Sequence, residues 1–138
     1  MSKGLSVVVE REFPHPPEKL WRALTEPHLI EEWLMKNDFK PVVGHALTLR
    51  ADPKPNWSGV LDCQVLTVEA NRQLAYTWGS GSVAGSVVTW TLTPTAAGTH
   101  LRMEHSGFSA DRPQNYQGAK HGWPRNLDRL EQVLAQTD

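Results

Sequence analysis

Between Pro41 and Ser106 the chain repeats with a period of two, and a run of that length admits little besides an antiparallel sheet with one buried and one wet face. Leu47, Leu49 and Ala51 alternate with Thr48 and Arg50. Trp57, Gly59, Leu61, Cys63 and Val65 alternate with Ser58, Asp62 and Gln64. The phase slips at Leu66 and Val68, which predicts a β-bulge. The alternation resumes through Leu74, Tyr76 and Trp78, then Val88, Trp90 and Leu92, then Leu101, Met103 and His105. Turn-forming residues separate these runs at Asp52-Pro53-Lys54-Pro55, at Ala70-Asn71, from Gly79 to Gly85 and from Thr93 to Gly98.

The flanks obey a different period. Leu5, Val7 and Val9 predict a first strand, stopped by Pro14-His15-Pro16-Pro17. Glu18 to Leu24 then predicts a short helix with Leu20, Trp21 and Leu24 on one side. A second helix restarts at Thr25-Glu26-Pro27, with Thr25 as its N-cap and Leu29, Ile30, Trp33 and Leu34 as its apolar stripe. At the other end Tyr116, Ala119, Trp123, Leu127, Leu130 and Leu134 recur at spacings of three and four, predicting a long helix. Pro124 interrupts it, so a kink near His121-Gly122 or a start near Trp123 is expected. The expected fold class is α+β: a curved antiparallel sheet covered by the C-terminal helix, forming a single domain over residues 1–138.

Composition narrows the function. Lys and Arg number 14 against 15 Asp and Glu, a net charge of -1, and neither half is strongly basic, so no nucleic-acid partner is expected. No apolar stretch approaches the roughly 18 residues of a membrane span. The N-terminus lacks the apolar region of a secretory signal and the one cysteine, Cys63, excludes an internal disulfide, so a cytoplasmic location is expected. The six histidines show no paired metal-ligand spacing, and no metal or cofactor is expected. The run Gly79 to Gly85 does not match the dinucleotide pattern and leads into a strand, so it reads as a hairpin and not as a phosphate cradle. No nucleophile elbow accompanies any serine, which excludes a hydrolytic triad of that type.

Six tryptophans in a chain of 138 residues demand a reason. Parity sends Trp57, Trp78 and Trp90 inward from three strands, and the helical stripes send Trp33 and Trp123 toward the same interior. These rings either fill the space between sheet and helix or line a pocket for an apolar or aromatic ligand. An empty pocket of about 300 Å³, at roughly 24 cal/mol per Å³, costs on the order of 7 kcal/mol, against a domain stability of about 5–15 kcal/mol. The interior must therefore hold rings, water or ligand. Met103 and Tyr76 share the inward parity, and the tyrosine hydroxyl must find a polar partner. His105 also faces inward, as a satisfied core histidine, a ligand contact or an acid–base group. His121 falls on the solvent side of its helix and Asp62 on the outward parity of its strand.

The residues carry a resemblance. Val9-Glu10-Arg11-Glu12-Phe13, then Pro16-Pro17-Glu18-Lys19-Leu20-Trp21-Arg22-Ala23-Leu24-Thr25-Glu26-Pro27 and Trp33, resemble the opening of the START-like (SRPBCC, helix-grip) superfamily. The branch is the one similar to the C-terminal domain of the activator of heat-shock-protein-90 ATPase. Leu101 to Phe108 and Gly122-Trp123 followed by Leu127 and Leu130 agree with it. The resemblance implies six or seven antiparallel strands gripping a long C-terminal helix, with two short helices after the first strand. It also implies a cavity beneath that helix, which in the superfamily binds lipids, sterols, polyketides or hormones and in some members catalyses cyclisation. Pro124 departs from the smooth helix of that pattern. The expected function is binding of a small apolar or aromatic molecule by Trp33, Trp57, Tyr76, Trp78, Trp90, Met103, His105 and Trp123. The alternatives are a chaperone-associated or homodimeric interaction module with a filled core, and a cavity enzyme of cyclase or hydratase type using His105.

Overall fold

The computed structural model describes residues 5–52, 59–78, 86–108 and 113–137. The elements run β1 (Leu5–Phe13), α1 (Pro17–Thr25), α2 (Pro27–Trp33), β2 (Lys36–Asn37), β3 (Ala46–Arg50), β4 (Val60–Glu69), β5 (Gln73–Thr77), β6 (Val87–Pro94), β7 (Thr99–Phe108) and α3 (Pro113–Gln136). The seven strands form one antiparallel sheet in the order β1-β7-β6-β5-β4-β3-β2. The sheet is a meander whose first strand returns to pair with the last, and it curves around α3. The fold is α+β helix-grip.

Local chemistry explains most boundaries. Pro17 and Pro27 each stand at the first position of a helix, where a missing N–H costs nothing. Asn71 turns β4 into β5 with a φ of 64°, a left-handed conformation that asparagine tolerates. The expected bulge in β4 is present as a register shift between Val65 and Thr67. Thr25, expected to cap α2, instead closes α1: its Oγ1 donates to the Trp21 carbonyl at 2.7 Å, and Glu26 takes the capping position without a side-chain bond. Ala51 and Trp78 each fall one residue beyond their strand, and the two-residue β2 was too short to show a period. The hairpin expected from Gly79 to Gly85 lies outside the described residues.

The last helix is continuous through Pro124 and begins ten residues before Trp123, so it does not start there. Arg11 of β1 braces that region. Its guanidinium donates to Asp128 Oδ1 at 2.6 Å and to the carbonyl of Pro124 at 3.1 Å, with Glu131 at 3.9 Å. On the inward side of the sheet, Leu74, Val88, Trp90, Leu101 and Met103 are fully buried against Leu127, Leu130 and Leu134 of α3.

The turn from β6 to β7 packs on the exit of β1. Gly98 lies so close that a Cβ there would stand 2.1 Å from the Phe13 carbonyl oxygen and 2.7 Å from the His15 nitrogen. Thr99 Oγ1 donates to the His15 carbonyl beside it at 2.7 Å. Because backbone, not a flexible side chain, occupies that space, Gly98→Ala should lower stability by roughly 3 kcal/mol, which thermal or urea unfolding will measure.

Candidate functional site

Buried indoles need acceptors for their N–H groups, and here each is met differently. Trp33, 1% exposed on α2, donates to the carbonyl of Ala23 at 2.8 Å, one of the terminal carbonyls that α1 cannot satisfy itself. Trp90 on β6 donates to the Tyr76 hydroxyl on β5 at 3.0 Å. Trp123 on α3 donates to His105 Nδ1 on β7 at 3.0 Å, which joins the helix to the sheet.

The rings form one connected cluster. Trp33 meets Trp90 edge-on at 5.5 Å and Trp90 meets Trp123 at 5.6 Å. Trp123 lies 5.1 Å from Trp78, which stacks on Tyr76 at 6.3 Å. His105 sits among Trp78 at 5.7 Å, Trp123 at 6.0 Å and Phe108 at 4.2 Å, and Phe108 continues to Tyr116 of α3 at 5.9 Å. Trp33, Tyr76, Trp90, Met103, His105 and Trp123 are thus buried together, and Trp78 is half-buried at their edge. Trp57 lies outside the described residues. Asp62 and His121 are exposed, as their parity and stripe positions required.

Phe108 and Phe39 join the cluster without having been expected as site residues, and Tyr116 joins from the apolar stripe on which its spacing placed it. Phe39 stands 6.3 Å from Tyr76. Phe108 should face outward if alternation simply continued from His105. The register between β1 and β7 skips Gly107, whose φ is 87°, and this bulge turns Phe108 back to the side of His105. An isolated glycine inside a strand was the signal that could have found it.

His105 carries the chemistry. An indole N–H only donates, so His105 Nδ1 must offer its lone pair, and the neutral ring then carries its proton on Nε2. That Nε2–H is buried and finds no partner among the described residues. Burial pushes the imidazole down to about 4, so it is neutral near pH 7. With its one lone pair committed to Trp123, His105 is arranged to donate a hydrogen bond and not to abstract a proton. Burial likewise pushes the Tyr76 phenol up, so it stays protonated. Among the described residues no cluster of three or more His, Cys, Asp or Glu side chains could hold a metal ion. A separate surface groove of about 370 Å³ near Arg72, Gln73 and Thr91 offers no buried polar anchor.

A seven-stranded sheet gripping a C-terminal helix, with two helices after the first strand, defines a START-like protein of the SRPBCC type. The chain belongs to the family of activator of Hsp90 ATPase homolog 1-like proteins, whose family model matches residues 14–135. It is similar to a crystal structure of a protein from Mesorhizobium loti at 60% identity and a TM-score of 0.90, over 97% of this chain and 99% of that one. A solution structure of a Bacillus halodurans protein is 28% identical, with a TM-score of 0.80 over 96% of this chain and 99% of that one. DynU16, described as belonging to the dynemicin biosynthetic locus, is 26% identical with a TM-score of 0.77; the match covers 94% of this chain and 47% of DynU16. Among curated proteins none matches. No described helix is long and apolar enough to cross a membrane.

The depressed histidine gives a stability signature. Unfolded His105 titrates near its ordinary 6.5, whereas the folded ring resists protonation until about 4. The unfolded chain therefore binds the extra proton first, and stability falls as pH drops from about 6.5 to 4, by roughly 3 kcal/mol, then levels. His100 acts oppositely: Glu10 at 2.9 Å and Glu12 at 3.5 Å raise it, so its contribution is present at low pH and lost as pH rises through its folded value. Urea unfolding across this range should show a shallower acid decline in His105→Phe than in the wild type; equal slopes would refute the assignment.

Proposed function

We propose that this protein binds a small apolar or aromatic molecule between the inward face of β5 to β7 and helix α3. The observation that carries this reading is the buried Nε2–H of His105, a donor held among rings with no acceptor among the described residues. An unmatched buried donor costs about 1–3 kcal/mol, which an arriving acceptor would recover. Trp78, Phe108 and Trp123 would supply the apolar contact, and Trp33, Tyr76, Trp90 and Met103 would hold those rings in place. The family's helix-grip fold commonly houses ligands in a cavity, and the likeness to a protein of a biosynthetic locus is consistent with a small-molecule role.

A second reading, association with a chaperone or with a second copy of the chain, is favoured by the family name and by Val42 and Val43. These adjacent side chains are 58% and 62% exposed in the segment leading into β3. Under it, Val42→Ser with Val43→Ser would abolish the complex in sedimentation experiments and leave the interior untouched.

Fluorescence titration separates the two. The first reading expects saturable changes in tryptophan emission with an apolar or aromatic compound, and a binding constant weakened about tenfold by Trp78→Ala. A broad library of lipids and aromatic metabolites that leaves the emission unchanged would sink it.

A further inference from the structure

Resting on the ligand-binding reading above, we propose that Trp123 fixes the tautomer of His105, so that the site selects molecules bearing a hydrogen-bond acceptor, a carbonyl oxygen above all. Trp123 is here a positioning residue, acting through the imidazole. Its indole nitrogen has no lone pair to offer, so at 3.0 Å from Nδ1 it donates and the histidine accepts. The neutral ring has one lone pair and one N–H, so the remaining proton sits on Nε2. The two ring nitrogens diverge, and Nε2 points away from the Trp123 indole N–H. His105 is 1% exposed, so water at the surface does not serve that donor.

The surroundings fix what else such a molecule must be. His105 is flanked by Trp78 and Phe108, whose ring centroids lie 5.7 and 4.2 Å from its own. Across the sheet, His105 is opposite Val7 on one side and Val88 on the other, both buried. Among the described residues, none of these ring and cross-strand neighbours carries a carboxylate, ammonium or guanidinium group. A largely apolar molecule with one acceptor oxygen complements the site. A hydrocarbon of the same shape would bury the Nε2–H unmatched, and an ammonium would oppose donor to donor.

Two measurements test this on the intact protein. Long-range ¹⁵N–¹H correlation spectra of the ligand-free protein should show His105 Nε2 protonated and Nδ1 bare, and Trp123→Phe should let both tautomers appear. Binding of 2-acetylnaphthalene and 2-isopropenylnaphthalene, which differ only in a carbonyl against an alkene, should favour the ketone about tenfold in the wild type. His105→Phe should level the pair, and Trp123→Phe should narrow the preference while His105 remains. A proton on Nδ1 in the wild type, or equal affinities for the two compounds, overturns the proposal. Failure of both compounds to bind the wild type overturns the ligand-binding reading and this proposal with it, whereas equal binding overturns acceptor selection alone. Because the spectra and the compound pair are read on the wild type, a variant that fails to fold does not blunt the test.

Discussion

An indole buried beneath a sheet brings a polar N–H with it, and the whole interior of this protein is organised around where those hydrogens go. Trp33 sends its hydrogen to the Ala23 carbonyl at the end of α1, Trp90 to the Tyr76 hydroxyl on the neighbouring strand, and Trp123 to the His105 imidazole. Each bond ties two elements, so the orientations of the rings are set by polar geometry as well as by packing. Only the first bond ends on a pure acceptor. The Tyr76 hydroxyl keeps a hydrogen of its own, and an imidazole that accepts at one nitrogen must present a hydrogen at the other. His105 Nε2, the buried side-chain polar atom left with no partner among the described residues, is therefore a direct product of how the last helix is fastened to the sheet.

Much of this was legible in the sequence, and the reasons are specific. Alternation from Leu47 to His105 is a strong signal because one face of the sheet is covered by α3, and it placed Trp90, Met103 and His105 correctly on that face. The helical stripe from Tyr116 to Leu134 was equally plain. What escaped lies where local rules compete. Thr25 could cap forward or bond backward, and the backward bond to Trp21 prevailed because the side chain is buried where α1 ends. A two-residue strand has no period to read. Phe108 escaped because a positive-φ glycine at 107 resets the phase, and parity counting carries no memory of such a reset. The hydrogen-bond partner of His105 was beyond any spacing rule, since it comes from a helix 18 residues away.

Pro124 illustrates how tertiary contacts override a local prohibition. A proline inside a helix removes one backbone bond and crowds the preceding turn, at a cost of about 3 kcal/mol in isolation. Here the helix runs through it, flanked by Trp123 and Leu127, both buried in the core. Arg11 reaches from the first strand to the proline's own carbonyl and to Asp128 one turn on. The carboxylates of Asp128 and Glu131 are exposed enough that the ion pair contributes modestly, so the directional bonds of Arg11 locate the helix more than they stabilise it.

That same brace links residues 117 positions apart, and among the described residues β1 finds its one sheet neighbour in β7. During synthesis β1 must therefore wait, unpaired, until β7, which begins at Thr99, has followed it. Its apolar side chains and open backbone edge stay available to wrong partners throughout synthesis, while the short-range hairpins from β4 to β7 need no such delay. A sheet closed by joining β1 to a strand and a helix so far along the chain acquires that closure late, so its exposure to aggregation is concentrated in synthesis instead of maturity.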